Sequence, residues 1–271
     1  MRARFLFFII IPLVTFLSVG CGKNSSSSDS QNQTAETPIS VTVAGLENGA
    51  RIHKEFYGET EELGTYASTG IPAVALTFDD GPQKNSTDAI LDVLEEYDAH
   101  ATFFIVSDNI SNNSDVLKRQ VELGCELGTH TSSHADLTTL DDEAFEEEVS
   151  GSISQIEEAS GGEVTLIRPP YGSLNDEVKE KLELPIILWS IDTLDWKTRD
   201  ASRTYKKVKN QVSEEGGDIL LFHDIYDETA SAIEKVVPWL VKKGYKLLTV
   251  SELYEYYEVD LSLHKAHGSA H

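Results

Sequence analysis

The chain has only two cysteines and one methionine among its 271 residues, and its 22 basic residues number fewer than half of its 46 acidic ones. Two cysteines are too few for a disulfide framework. The first, Cys21, belongs to an export signal, which leaves Cys125 as a single thiol. Cys125 sits in Glu-Leu-Gly-Cys-Glu-Leu-Gly with no activating neighbour, so it reads as a small buried hydrophobe rather than a nucleophile. The formal net charge of −24 argues against sequence-independent binding to nucleic acid, whose phosphates need a basic face, and disfavours attraction to anionic lipid head groups. The apolar run Phe5–Leu17, interrupted by Pro12, falls short of the ~20 residues that a membrane-spanning helix needs.

What is there begins with an address. Arg2 and Arg4 precede the apolar run, which has the length of a secretory h-region. Leu17-Ser18-Val19-Gly20-Cys21 resembles the lipobox of bacterial lipoproteins, in which the cysteine is lipidated and becomes the new N-terminus. Residues 21–38, rich in Ser, Asn, Gln and Thr, have no apolar periodicity and are expected to form a flexible tether. The expected organisation is a signal peptide at 1–20, this tether, an N-terminal extension at 39–70, one catalytic domain at 71–258 and a polar tail at 259–271. The tail, with His264, His267 and His271, is expected to stand outside the fold. The implied location is outside the cytoplasm, anchored to the cell membrane through Cys21, with free secretion as the alternative. A monomer is expected.

From residue 71 onward, short apolar runs alternate with helical periodicity. Ala73–Phe78, Ala101–Val106, Glu126–Thr131, Val164–Ile167, Pro185–Ile191, Asp218–Phe222 and Tyr245–Val250 read as strands. Ile90, Val93, Leu94 and Tyr97 mark a helix face, as do Phe145, Val149, Ile153 and Ile156 on a long helix over 141–158. The acids of that long helix read as a solvated outer face. Strand–helix alternation implies a parallel sheet built from right-handed crossovers. With fewer than eight units and several short helices, the expected fold is a distorted or incomplete (β/α) barrel of about seven parallel strands, its chemistry at the C-terminal strand ends.

Five polar clusters fall at those ends. They are Asp79-Asp80, His130 with His134, Arg168, Asp192 with Asp195-Trp196, and His223-Asp224. Two histidines four residues apart, plus one carboxylate, make a facial ligand set with open positions for water and substrate. Asp79 or Asp80 can supply the carboxylate. Consecutive side chains on an extended chain point apart, so the other is free to act as a general base.

Thr77-Phe78-Asp79-Asp80-Gly81-Pro82, His130-Thr131-Ser132-Ser133-His134, Arg168-Pro169-Pro170-Tyr171-Gly172, Asp192-Thr193-Leu194-Asp195-Trp196 and Leu221-Phe222-His223 resemble, in order, the five motifs of polysaccharide deacetylases. These are the NodB-homology domains of carbohydrate esterase family 4. The resemblance implies Asp79 as general base, and Asp80, His130 and His134 as ligands of a divalent metal, commonly Zn2+, with Co2+ or Mn2+ as alternatives. It implies that Arg168 pairs with Asp79 and that Tyr171 offers its backbone N–H to the oxyanion. Asp195 would orient Arg168 or tune His223, Trp196 and Leu221 would wall the acetyl pocket, and His223 would protonate the leaving amine. The implied activity is N-deacetylation of a polysaccharide containing N-acetylglucosamine: chitin-like, poly-N-acetylglucosamine or peptidoglycan. An O-acetyl (xylan) esterase and an inactive carbohydrate-binding lipoprotein are the alternatives.

Overall fold

The computed structural model of the chain describes residues 64–271. The expected signal peptide, lipidated Cys21, tether and most of the 39–70 extension lie outside the described residues.

Ala73–Asp79 (β1) is buried at every position. A wholly apolar run suits a strand covered on both faces. Side chains alternate, so Val74, Leu76 and Phe78 join the core beneath the helices, while Ala73 and Ala75 join a second core inside the curl of the sheet. Thr77 and Asp79 continue that inner row. The outer core is set by large rings, with Phe78 stacked on Phe103 at 5.0 Å and on Phe222 at 5.5 Å between centroids. Small residues on the inner face leave room for the polar side chains at its end.

Further strands are Thr102–Ile105 (β2), Glu126–Thr129 (β3), Val164–Ile167 (β4), Ile186–Ile187 (β5), Ile191–Asp192 (β6), Ile219–His223 (β7), Lys246–Leu248 (β8) and Ala266–His267 (β9). Every pair of these strands is parallel. They lie in the order β6-β7-β1-β2-β3-β4-β5-β9, with β8 also on β1. The sheet curls into a distorted, incomplete (β/α) barrel within a single domain. Among the described residues no helix is long and apolar enough to cross a membrane.

Three expectations change. The run 185–191 is two short strands: the Ile187 and Leu188 carbonyls turn to Arg168, while the Leu188 N–H still donates to the His267 carbonyl of β9. The long helix is interrupted by a π turn at Glu147–Gly151, between helices Asp142–Glu146 and Ser152–Ser160. The C-terminal residues are not a loose tail. β9 pairs with β5, His267 and Ala270 are buried, and the Ala270 N–H donates to the Gly217 carbonyl at 2.9 Å. The last residues thus run from the β5 edge to the start of β7. Polar composition hid this strand, because its register bonds are made by backbone.

Candidate metal centre and active site

β1 ends at Asp79, paired in register with His223 at the end of β7. Parallel pairing of neighbours brings the two side chains to one face at one end of the sheet. Asp80 follows with a left-handed backbone (φ 74°), which turns its carboxylate away from the strand direction. Asp accepts that conformation more readily than most residues.

β3 leads to His130, and the loop beyond carries His134. One ligand atom from each of Asp80, His130 and His134 lies within 4.8 Å of the others. His130 Nε2 is 3.6 Å and His134 Nε2 3.4 Å from Asp80 Oδ1. This oxygen is buried and has no hydrogen-bond partner in the chain. An orphaned buried carboxylate oxygen faced by two imidazole nitrogens fits a cation. His130 is set for the role, because its Nδ1–H donates to the Arg168 carbonyl at 2.6 Å and leaves Nε2 as the bare nitrogen. Burial also pulls its pKa down, against the raising influence of Asp79 and Asp80, and so favours the neutral ring that a metal requires.

Arg168, at the end of β4, is wholly buried. Nη1 donates to Asp79 Oδ1 at 2.7 Å and to Thr77 Oγ1 at 2.8 Å, Nε to the Ile187 carbonyl and Nη2 to the Leu188 carbonyl. The Phe104 ring lies 4.1 Å from its Cζ. Its planar fork is therefore held on all sides. Asp79 keeps Oδ2 on the other side, 3.7 Å from His130 Nε2. Removing one partner of so buried a pair costs about 3–5 kcal/mol.

The structure decides between the two expected partners of Asp195. Its Oδ1 accepts from His223 Nδ1 at 2.9 Å, and its Oδ2 accepts from the His223 backbone N–H and the Thr229 hydroxyl. Asp195 serves His223, not Arg168. Burial alone would lower the imidazole's pKa, but the bond to Asp195 and the charges of Asp195, Asp79 and Asp80 raise it to about 9.

The remaining expected residues divide by exposure. Leu221 is buried on β7, whereas Tyr171 (69 % exposed) and Trp196 (46 %) stand at the surface. Tyr171 has φ 60° and its ring packs edge-on to His134, 4.6 Å between centroids. Cys125 is buried, and burial raises its pKa to about 12, as suits an inert thiol. His264 and His267 give ring nitrogens to the carbonyls of Lys179 and Ser262.

Two supporting residues escaped the sequence. Thr77 braces Arg168, and the alternation of β1 already places it on the face of Asp79. Glu148 reads in the sequence as solvated surface, but its carboxylate accepts from the loop between the two histidines. Its place beside Val149 puts it at the border of the apolar face, the one signal available. Asp224, next to His223, is fully buried. It accepts from Thr87 Oγ1 at 2.6 Å, and burial raises its pKa to about 7. A Cβ on Gly81 would come within 2.2 Å of its Oδ2, so only glycine fits after Asp80.

The sequence profile described as polysaccharide deacetylase matches residues 67–184. The peptidoglycan-N-acetylmuramic acid deacetylase PdaC of Bacillus subtilis is 39% identical over 182 residues, 67% of this chain and 38% of that protein. A peptidoglycan-N-acetylglucosamine deacetylase of Bacillus cereus is 35% identical over 193 residues, 68% of this chain and 88% of that protein. A family 4 acetyl xylan esterase from Clostridium thermocellum, solved with a cobalt ion, has a TM-score of 0.68 at 26% identity, covering 73% of this chain and 98% of that one. The match thus spans well under half the length of PdaC.

Proposed function

The chain belongs to the polysaccharide deacetylase family, and on that premise we propose that it hydrolyses N-acetyl groups on peptidoglycan-type glycan in a metal-dependent reaction. The observation that carries this reading is the convergence of Asp80, His130 and His134, with the Asp79–Arg168 pair and the Asp195–His223 pair alongside.

A divalent cation held by Asp80, His130 and His134 would polarise the acetyl carbonyl and lower the pKa of a water; two imidazoles and a carboxylate suit Zn2+, with Co2+ or Mn2+ as alternatives. Arg168 occupies Oδ1 of Asp79 and leaves Oδ2 to take the proton from the attacking water. The backbone N–H of Tyr171, at the rim beside His134, would donate to the developing oxyanion. Leu221 and Trp196 shape the acetyl pocket. An amine cannot leave as an anion, so it needs a proton. His223 supplies it from Nε2 while Asp195 holds Nδ1. A His223 pKa near 9 keeps that proton in place at neutral pH.

The likeness to an acetyl xylan esterase supports an O-acetyl esterase as the second reading. The strongly held imidazolium favours the amide, whose leaving group is the more basic. The names of the bacterial relatives support peptidoglycan over chitin-like or poly-N-acetylglucosamine strands. We also propose that Cys21 bears a lipid and that 21–38 tethers the domain outside the cytoplasm, where such a polymer lies.

Acetate release from peptidoglycan strands, chitooligosaccharides, poly-N-acetylglucosamine and acetylxylan tests the reading. Release from peptidoglycan by the full chain, abolished in Asp79→Asn with metal content unchanged, is expected. Release from acetylxylan alone would overturn the amide reading, and wild-type rates in Asp79→Asn would overturn the base.

A further inference from the structure

The loop His130–His134 carries two metal ligands on a backbone that would not hold itself. Thr131 and His134 both have left-handed backbones, at φ 71° and 63°. For Thr, whose branched Cβ crowds the following carbonyl, this is a rare state costing about 1–3 kcal/mol. Something outside the loop must over-determine it.

The neighbouring helix does so at one residue. Glu148 Oε2 accepts from the backbone N–H of Ser132 at 3.0 Å and of Ser133 at 2.9 Å, and Oε1 accepts from the Ser133 hydroxyl at 2.6 Å. Three donors from two successive residues converge on one carboxylate, each a charge-assisted bond stronger than a neutral one. The π turn takes part as well. A π turn shifts the helical hydrogen bonds by one residue, and here the Glu148 carbonyl accepts from the Ser132 N–H and the Glu147 carbonyl from the Ser132 hydroxyl. At the other end, Thr129 Oγ1 accepts from the Thr131 N–H and meets Ser152 Oγ at 2.8 Å. The loop is thus clamped to the helix on both sides of the bend.

We propose that Glu148 is a positioning residue for the metal centre: its carboxylate gathers the Ser132 and Ser133 donors and so fixes the spacing of His130 and His134 before the ion arrives. It touches neither ion nor substrate. Losing it frees both Ser133 donors and leaves the Ser132 N–H only its bond to the Glu148 carbonyl, which lets the strained backbone relax and moves His134 relative to His130. The neighbouring Glu146, exposed on the same helix, makes no such contact.

This inference rests on the metal-centre reading, and the experiment separates the two. The full chain is stripped of metal, and the affinity for Zn2+ is measured by competition with a chromogenic chelator. The variants are Glu148→Ala, Glu148→Gln, Glu146→Gln and His130→Ala, with the Tm of each metal-free protein recorded. Outer partners of metal ligands typically contribute about 10- to 100-fold in affinity. Glu148→Ala is expected to lose that much, Glu148→Gln less because it keeps one acceptor oxygen, and Glu146→Gln nothing. A purely structural role would instead lower the metal-free Tm and leave the affinity of the folded protein unchanged. If Glu148→Ala destabilises the fold too far, Glu148→Gln decides alone. Wild-type affinity in the folded Glu148 variants would overturn the inference while leaving the metal centre intact. Equal binding by wild type and His130→Ala would overturn the metal centre itself.

Discussion

His223 holds its proton chiefly because of Asp195, with Asp79 and Asp80 adding to the effect. Burial favours the neutral ring, and Asp195, fixed by Thr229 and by the His223 backbone, reverses that preference. The folded pKa of about 9 lies above the ordinary 6.5. The contribution to stability is therefore complete below about pH 6.5 and is lost as pH rises through about 9. In Asp195→Asn the carboxylate is gone and burial gains weight. NMR titration of the metal-free chain is expected to place the His223 ring near 9 in wild type and well below that in the variant. The alkaline limb of activity should move down with it. A ring that titrates at the same pH in both would remove Asp195 from the account. At this scale the motif residues were legible because their chemistry is unusual at strand ends. Glu148 and Thr77 were not, because a glutamate on an acidic helix and a threonine in an apolar strand look ordinary until their hydrogen bonds are seen.

Elements position these residues through close packing. Gly128 in β3 illustrates it: a Cβ there would lie 2.5 Å from the Phe104 ring and 3.1 Å from the Leu166 carbonyl. Phe104 in turn lies against the Arg168 guanidinium. Gly128→Ala is therefore expected to cost about 1–3 kcal/mol through overpacking and to slow turnover by displacing Arg168. Urea denaturation and acetate release by the folded variant measure the two effects. A variant with wild-type stability and rate would show that this glycine is incidental. The strands at 73–79, 102–105, 164–167 and 219–223 were readable because their apolar runs are bounded by turn residues. The division of 185–191 was not, since it depends on where Arg168 needs carbonyls. The π turn has no pattern of its own, for it shifts the helix by a single residue.

For the whole molecule, parallel connections bring residues 79 to 223 to one rim, and the last residues bind the edge of the curled sheet to the segment before β7. The barrel class followed from strand–helix alternation. The C-terminal strand did not, because backbone pairing needs no apolar signature. The N-terminal segments carry a separate expectation: Cys21→Ser should move the protein from the membrane fraction to the medium. A variant that still partitions with membranes would dispose of the lipid anchor. The central claim is that these side chains share one cation to cleave an acetyl amide. Its most direct measurement is acetate release from N-acetylated peptidoglycan strands by the full chain, before chelation, after it, and after Zn2+ is restored. The account predicts release, then none, then recovery. Undiminished release from the metal-free protein would contradict it.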